Sequence, residues 1–199
     1  MADLEVKPVV LQGKHVIRLE PMTEAHISAL AEIGAGQPFW DFMVYGNVNT
    51  LDDMRGWVHD LLSRAEKGTD LPFVAIHLAS GHVAGATRYL NILPKDRGLE
   101  IGGTWYGTEF QRTPVNTECK YLLLKHAFET LGCIRVQLKT DLRNERSQKV
   151  IERIGAVKEG VLRNHMIVPH GRIRHSVFYS ILDTEWLDVK SRLLELLKK

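Results

Sequence analysis

The sequence predicts a mixed α/β fold: a twisted, largely antiparallel central sheet of about seven strands, flanked by helices on both faces. Three observations carry this. The apolar pattern changes period along the chain, from alternation in short β-branched runs to three- and four-residue spacing in longer ones. The elements follow the order β α α β β β α β α β β α, with antiparallel strands at both ends and one βαβ crossover in the middle. Composition is that of an ordinary globular chain, 44% apolar and 25% charged with 16 Gly and 7 Pro, so neither disorder nor a repeat array is indicated. The 199 residues suit one compact domain, 1–199.

His15 to Glu20 reads as the first strand, ended by Pro21. Thr23 caps a helix with Ile27, Leu30, Ala31 and Ile33 on one face, stopped by Gly34 and Gly36. Residues 37–49 are aromatic and irregular. Thr50 or Asp52 caps a second helix with the stripe Met54, Trp57, Val58, Leu61 and Leu62, closed by Gly68. Strands are expected at 73–78, 82–90 and 99–106, the first two joined by a tight turn at Ser80-Gly81. Thr113 as N-cap and Pro114 as first helical residue open a helix to Leu131. Its stripe is Tyr121, Leu124, Phe128 and Leu131, and Gly132 ends it. A strand at 134–138 and a helix at 144–154 follow, then strands 157–168 and 173–182 about a Pro169-His170-Gly171-Arg172 turn. An amphipathic helix, 186–197, closes the chain.

The bulk properties exclude several functions. A net charge of +2 with spread basic residues does not make a nucleic-acid face. No apolar run reaches the ~18 residues of a membrane span, and the segment from Met1 to Val6 is not a signal sequence. Cys119 and Cys133 sit near opposite ends of one helix, ~20 Å apart at its rise, too far to bridge. Reduced thiols and a cytoplasmic location are expected. A hairpin turning at His170-Gly171 pairs His165 with Ser176 and His175 with Met166. The two histidines then point to opposite faces, and no metal site is expected.

The chemistry is expected where the middle strand meets the crossover helix, because ligands favour the carboxyl ends of strands at a change of pairing. There Gln111-Arg112-Thr113-Pro114-Val115-Asn116-Thr117-Glu118 enters a helix N-terminus, whose free amides and dipole suit phosphate. A capped polar loop is the plainer alternative.

The same segment resembles the Gln/Arg-x-x-Gly-x-Gly/Ala loop of the GNAT acetyltransferases. Asn144-Glu145-Arg146-Ser147, followed by Arg153-Ile154-Gly155-Ala156-Val157-Lys158-Glu159-Gly160-Val161-Leu162-Arg163, resembles the signature of their RimJ/RimL-like branch. Ile17 to Thr23 is similar to that branch's first strand. The resemblance runs from about residue 11 to residue 183 and implies the GNAT fold. It implies an N-acetyltransferase that takes acetyl-coenzyme A as co-substrate and a primary amine as acceptor. A protein N-terminal α-amine or a small amine would attack the thioester directly in a ternary complex.

The loop departs from the family at Pro114 and Asn116, where glycines are usual. Pro removes one backbone donor, so coenzyme binding falls to Gln111, Arg112, Thr113, Val115, Asn116, Thr117 and Lys120, with Asn144 on the pantetheine. The resemblance gives catalytic parts to Glu100, Asn144 and Ser147. Glu100 is the expected base, with Glu109 and His126 as alternatives. Ser147 is the expected acid, because Ile151 stands where many members carry a Tyr. An amide among Gly102, Gly103 and Thr104 would polarise the acetyl carbonyl. Phe39, Trp40, Tyr45 and Trp105 are expected to line the acceptor pocket, with core packing as their plainer role. A homodimer is compatible with this reading, and so is a coenzyme A-binding protein without activity.

Overall fold

The computed structural model describes residues 4–198; Met1, Ala2 and Asp3, part of the segment read above as no signal, lie outside them, as does Lys199. Eight strands form an open sheet in the order β1-β2-β3-β4-β5-β6-β8-β7. They are β1 (Leu11–Gln12), β2 (Ile17–Pro21), β3 (Leu71–His77), β4 (Val83–Leu93), β5 (Gly98–Tyr106), β6 (Arg135–Asp141), β7 (Val157–Val168) and β8 (Arg172–Leu182). The helices are α1 (Ile27–Gly34), α2 (Leu51–Glu66), α3 (Val115–Lys125), α4 (Glu145–Arg153) and α5 (Trp186–Leu197). The expected order therefore holds, with a two-residue strand added at the edge. Every pairing is antiparallel except β5 with β6.

Two apolar clusters cover the two faces of the sheet. On one, α1 and α2 bring Ile27, Leu30, Met54, Trp57, Val58 and Leu61 onto Val74, Ile76 and Ala86. Each such side chain removed from water contributes about 1.5–3 kcal/mol. The start of α2 is fixed by a reciprocal cap: the Asp53 N–H donates to Thr50 Oγ1 and the Thr50 N–H to Asp53 Oδ2. Thr50, of the two expected residues, is the cap. On the other face, α3, α4 and α5 pack on Leu99, Ile101, Val136, Tyr179 and Ile181.

α3 differs from the expected amphipathic helix. It begins one residue later than expected, with Pro114 at its N-cap. Thr113 Oγ1 still receives the Val115 N–H at 3.4 Å and donates to Phe110 O. Leu122, Leu123 and Leu124 are all buried, while Tyr121, Phe128 and Leu131 are only partly so. A helix with the sheet on one side and α5 on another has little polar face left. Its last turn, His126–Thr130, widens to π geometry before Gly132 at φ +67.

Glu118, in the first turn of α3, is 1% exposed. Its carboxylate accepts four backbone N–H bonds, from Lys14, His15, Val16 and Ile17, at 2.6–2.9 Å. The chain passes so close that a Cβ on Gly13 would lie 1.9 Å from Ile17 O, which requires glycine there.

The β7–β8 hairpin corrects the expected register. Met166 pairs with Arg174, not His175, and Leu162 with Ser176. The turn centres on His170 itself, which takes φ +66, and Arg163, Asn164 and His165 bulge opposite His175. His165 Nδ1 nevertheless reaches Ser176 Oγ at 2.9 Å, and His175 Nδ1 accepts the Asn164 N–H. A depression of about 650 Å³ opens at this bulge, lined by Val161, Leu162, Arg163, Asn164 and His175. Among the described residues no cluster of His, Cys, Asp and Glu is arranged to hold a metal, and no helix is long and apolar enough to cross a membrane.

Candidate active site

The site is built where the sheet opens. β5 and β6 pair only through Gly98, Leu99 and Glu100 with Arg135, Val136 and Gln137. Beyond that both strands continue without each other, β5 to Tyr106 and β6 to Asp141. Two strand edges with unshared peptide groups thus face a common cleft, and such groups need a partner.

Gly102 and Gly103 help to open it. Arg88 stands opposite Gly102 while Ala86 stands opposite Trp105, so β5 carries an extra residue here. Gly103 has φ +59, and a Cβ on it would meet Arg88 Nε at 3.3 Å. The bulge therefore falls on the residues named above for the carbonyl-polarising amide. The extra residue sorts the side chains that follow. Trp105 joins the α1–α2 face, whereas Leu99, Ile101 and Tyr106 lie in the α3 cluster. Glu100, between Leu99 and Ile101, faces away from α3. Thr104 faces α3.

Glu100 is 2% exposed, not the exposed strand residue that a plain reading of its position suggests. Its Oε2 accepts from Asn91 Nδ2 at 2.9 Å, Gln137 Nε2 at 2.8 Å and Lys139 Nζ at 3.0 Å. No bond to Oε1 is found among the described residues, and this oxygen would lie 3.3 Å from a Cβ on Gly102. The sequence reading missed all three donors. Gln137 and Lys139 could have been found from the alternation of β6, which puts them on one face two residues apart.

On the α3 side, Lys120 Nζ donates to Thr104 Oγ1 at 2.8 Å, and Thr104 shares a 2.8 Å bond with Thr87 Oγ1. Lys120 is 5% exposed, and burial pushes its ammonium down from 10.5 to about 8. It therefore reaches into the cleft and not toward the loop at the helix N-terminus. The neighbouring Cys119 thiol is pushed up to about 12 by burial, which makes it inert as a nucleophile.

At the mouth of the cleft, Gln111 Nε2 holds Tyr106 O and Gln111 Oε1 accepts from Arg146. Arg112 takes φ +63, the left-handed backbone that glycine adopts freely. Arg153 donates to Thr117 Oγ1 at 3.1 Å. Arg146 and Arg153 were not among the expected residues. Their seven-residue spacing puts both on one face of α4, the face that meets the α3 N-terminus. The first-turn amides of Val115, Asn116 and Thr117 have no helical acceptor, and that of Val115 makes only the long 3.4 Å bond to Thr113 Oγ1. Open amides with Arg112, Arg146 and Arg153 around them fit a polyphosphate, despite the missing glycines.

The remaining expected residues divide. Asn144 is the N-cap of α4, its Oδ1 accepting from Ser147 N at 3.0 Å. Neither Asn144 Nδ2 nor the Ser147 hydroxyl is bonded among the described residues. Ile151 is 6% exposed and belongs to the core. His126, an alternative base, is partly buried, and its ring stacks on Tyr89. Trp40 and Trp105, 1% and 3% exposed, are core residues in one aromatic cluster with Phe39 and Trp57. Of the four expected acceptor-pocket aromatics only Phe39 and Tyr45 keep accessible surface, and Tyr45 carries the Arg88 guanidinium 5.1 Å over its ring.

Residues 17–157 match the family model described as "Acetyltransferase (GNAT) domain". The chain belongs to the GNAT acetyltransferase family. A Bacillus subtilis (strain 168) protein named "Putative ribosomal N-acetyltransferase YdaF" is 35% identical over 109 residues, 55% of this chain and 58% of that relative, less than two thirds of its length. A crystal structure described as a "putative acetyltransferase" from T. thermophilus is 38% identical with a TM-score of 0.86, covering 96% of this chain and 98% of that one. A GCN5-related N-acetyltransferase from Brucella melitensis is 27% identical with a TM-score of 0.90, covering 98% and 88%. The opened β5–β6 pair and the mixed, mainly antiparallel sheet thus belong to a GNAT-family chain.

Proposed function

We propose that this GNAT enzyme, acting as a single domain, moves acetyl from acetyl-coenzyme A to a primary amine by direct attack within a ternary complex. The observation that carries the reading is the cleft between β5 and β6, with a buried carboxylate at its root and an open helix N-terminus at its mouth. Acetyl-coenzyme A supplies an activated acyl thioester. The amides of Val115, Asn116 and Thr117 hold its phosphates, with Gln111, Thr113 and the cations of Arg112, Arg146 and Arg153 around them. The unshared peptide groups of β5 and β6 take the extended arm of the coenzyme as a strand takes a neighbour. An amide at the Gly102-Gly103-Thr104 bulge polarises the acyl oxygen.

An α-amine has a pKa near 8, so a modest base is enough. Glu100 Oε1 takes the proton, while Asn91, Gln137 and Lys139 hold the carboxylate by its other oxygen. Asn144 orders the start of α4 beside the loop, with its Nδ2 toward the pantetheine. Phe39 and Tyr45 border the acceptor. Resemblance to the RimJ/RimL-like branch and the name of the Bacillus relative favour a protein N-terminal α-amine. Thiol release from acetyl-coenzyme A over a panel of N-terminal peptides and small amines tests this. Release with peptides but not with free amines is expected; release with none, despite coenzyme binding, would refute the transfer.

A further inference from the structure

A GNAT reaction must also return a proton to sulfur, and the position where many members carry a Tyr does not serve here. Ile151 is packed in the core and cannot donate. Ser147 offers a hydroxyl that no charged group assists among the described residues. Lys120 is a different kind of group. It is buried, it is cationic, and among the described residues no carboxylate lies within ion-pair distance of its Nζ. Glu118, two residues earlier, is turned away and saturated by four backbone amides. A buried ammonium with one neutral partner is expensive to keep. Such groups concentrate at sites of chemistry.

Its place is equally specific. α3 starts at the phosphate end of the cleft, and Lys120 lies about 7.5 Å along its axis from Val115. From there Nζ reaches Thr104, the last residue of the bulge, and uses one of its three donors. Glu100 faces away from α3 across the same strand. The two charged groups thus flank the bulge from opposite faces of β5. An amine approaching on the Glu100 side expels its leaving group toward the Lys120 side.

We propose that Lys120 is the proton donor to the departing coenzyme A thiolate. The inference rests on the acetyl-transfer reading above. As the amine nitrogen bonds to the acyl carbon, the carbon–sulfur bond breaks and its electron pair goes to sulfur. One N–H proton of Lys120 passes to sulfur, giving the thiol. The proton shed by the amine goes to Glu100, and Lys120 is recharged from solvent, so one proton moves from amine to thiol overall. An ammonium near 8 is well matched to a thiol near 8.5.

The test uses the full chain, Lys120→Met and Lys120→Arg, with coenzyme A and acetyl-coenzyme A as probes. Coenzyme A affinity is measured by calorimetry, and the bound thiol is titrated by its ultraviolet thiolate absorbance. The protein's own thiols do not interfere, being pushed up to about 12 and about 11 by burial. The bound thiol of the wild type titrates lower than that of Lys120→Met by about one unit. Turnover of Lys120→Met falls about 100-fold, with coenzyme affinity and KM nearly unchanged. The alkaline fall of the wild-type rate also disappears. Lys120→Arg keeps the charge and the low thiol titration but loses turnover, since a guanidinium does not release its proton. It also carries the test if the methionine variant fails to fold. An unshifted bound thiol, or full turnover in both variants, overturns the proposal while leaving acetyl transfer standing. Loss of coenzyme affinity with turnover intact makes Lys120 a binding residue and overturns it too. A wild type that neither binds coenzyme A nor releases it from the thioester sinks the acetyl-transfer reading itself.

Discussion

Two buried glutamates, Glu118 and Glu100, show how one side chain serves two ends. Both are almost fully excluded from water. Glu118 has both oxygens engaged, and all four donors are backbone amides of one short segment. Those donors cannot turn away without unfolding the segment. Glu100 has three donors on one oxygen, all of them side chains, and its second oxygen is free of bonds among the described residues. A carboxylate saturated by backbone is a structural tie. One held by a single oxygen keeps a lone pair for a proton. The pattern of satisfaction, not the degree of burial, separates the two roles.

The sharpest way to break this comparison is Glu118→Ala. Four amides lose a charged acceptor, and the expected loss is about 4 kcal/mol or more of stability, read by urea denaturation. If stability is unaffected, the tie has been misjudged. Glu100→Gln is expected to do the reverse. Its amide oxygen still accepts from neighbours, so melting changes little, while turnover falls about 100-fold. Equal damage to stability and turnover in both variants would erase the distinction.

Lys120 supplies a third and smaller test, because it is the buried charge with the least compensation. Its pKa is lowered on folding, so the unfolded chain binds more protons between about 8 and 10.5. Wild-type stability therefore rises as pH climbs through that window, and the burial penalty is fully present below it. Lys120→Met is expected to be more stable than wild type at neutral pH by about 1 kcal/mol or more. That advantage should shrink toward pH 10.5; a constant difference would mean the ammonium is not penalised.

The sequence made these elements legible to different degrees. α2 was readable but for the choice between Thr50 and Asp52 as its cap, because its stripe and its end signals are local. The Ser80-Gly81 turn was readable for the same reason, with Gly81 at φ +72. The stripe of α3 was not, because burial from several sides depends on which distant elements pack there. The β7–β8 register slipped because a bulge leaves no pattern in alternation. At the site, the loop, Glu100 and Asn144 could be named from motif and position. Of what they touch, only Gln137 and Lys139 were within reach of the pattern, through the alternation of β6. The donors to Glu100 come from β4 and β6, the two strands that flank β5, and which strands flank it is set by the sheet order and not by local pattern. Lys120 looked like one more cation near a phosphate loop until the bulge turned Thr104 beneath it.

The tie at Glu118 also sets an order of assembly. The amides it captures are made 101 to 104 residues before it during synthesis. Closing so long a loop yields nothing until the last contact forms, so it belongs to the late stages of folding. Until then the amides of residues 14–17 lack their carboxylate acceptor, and the first turn of α3 lacks its tie to the start of β2. A cut or a fusion just before Val16 would therefore be felt at the far side of the chain, in the turn that receives the phosphates.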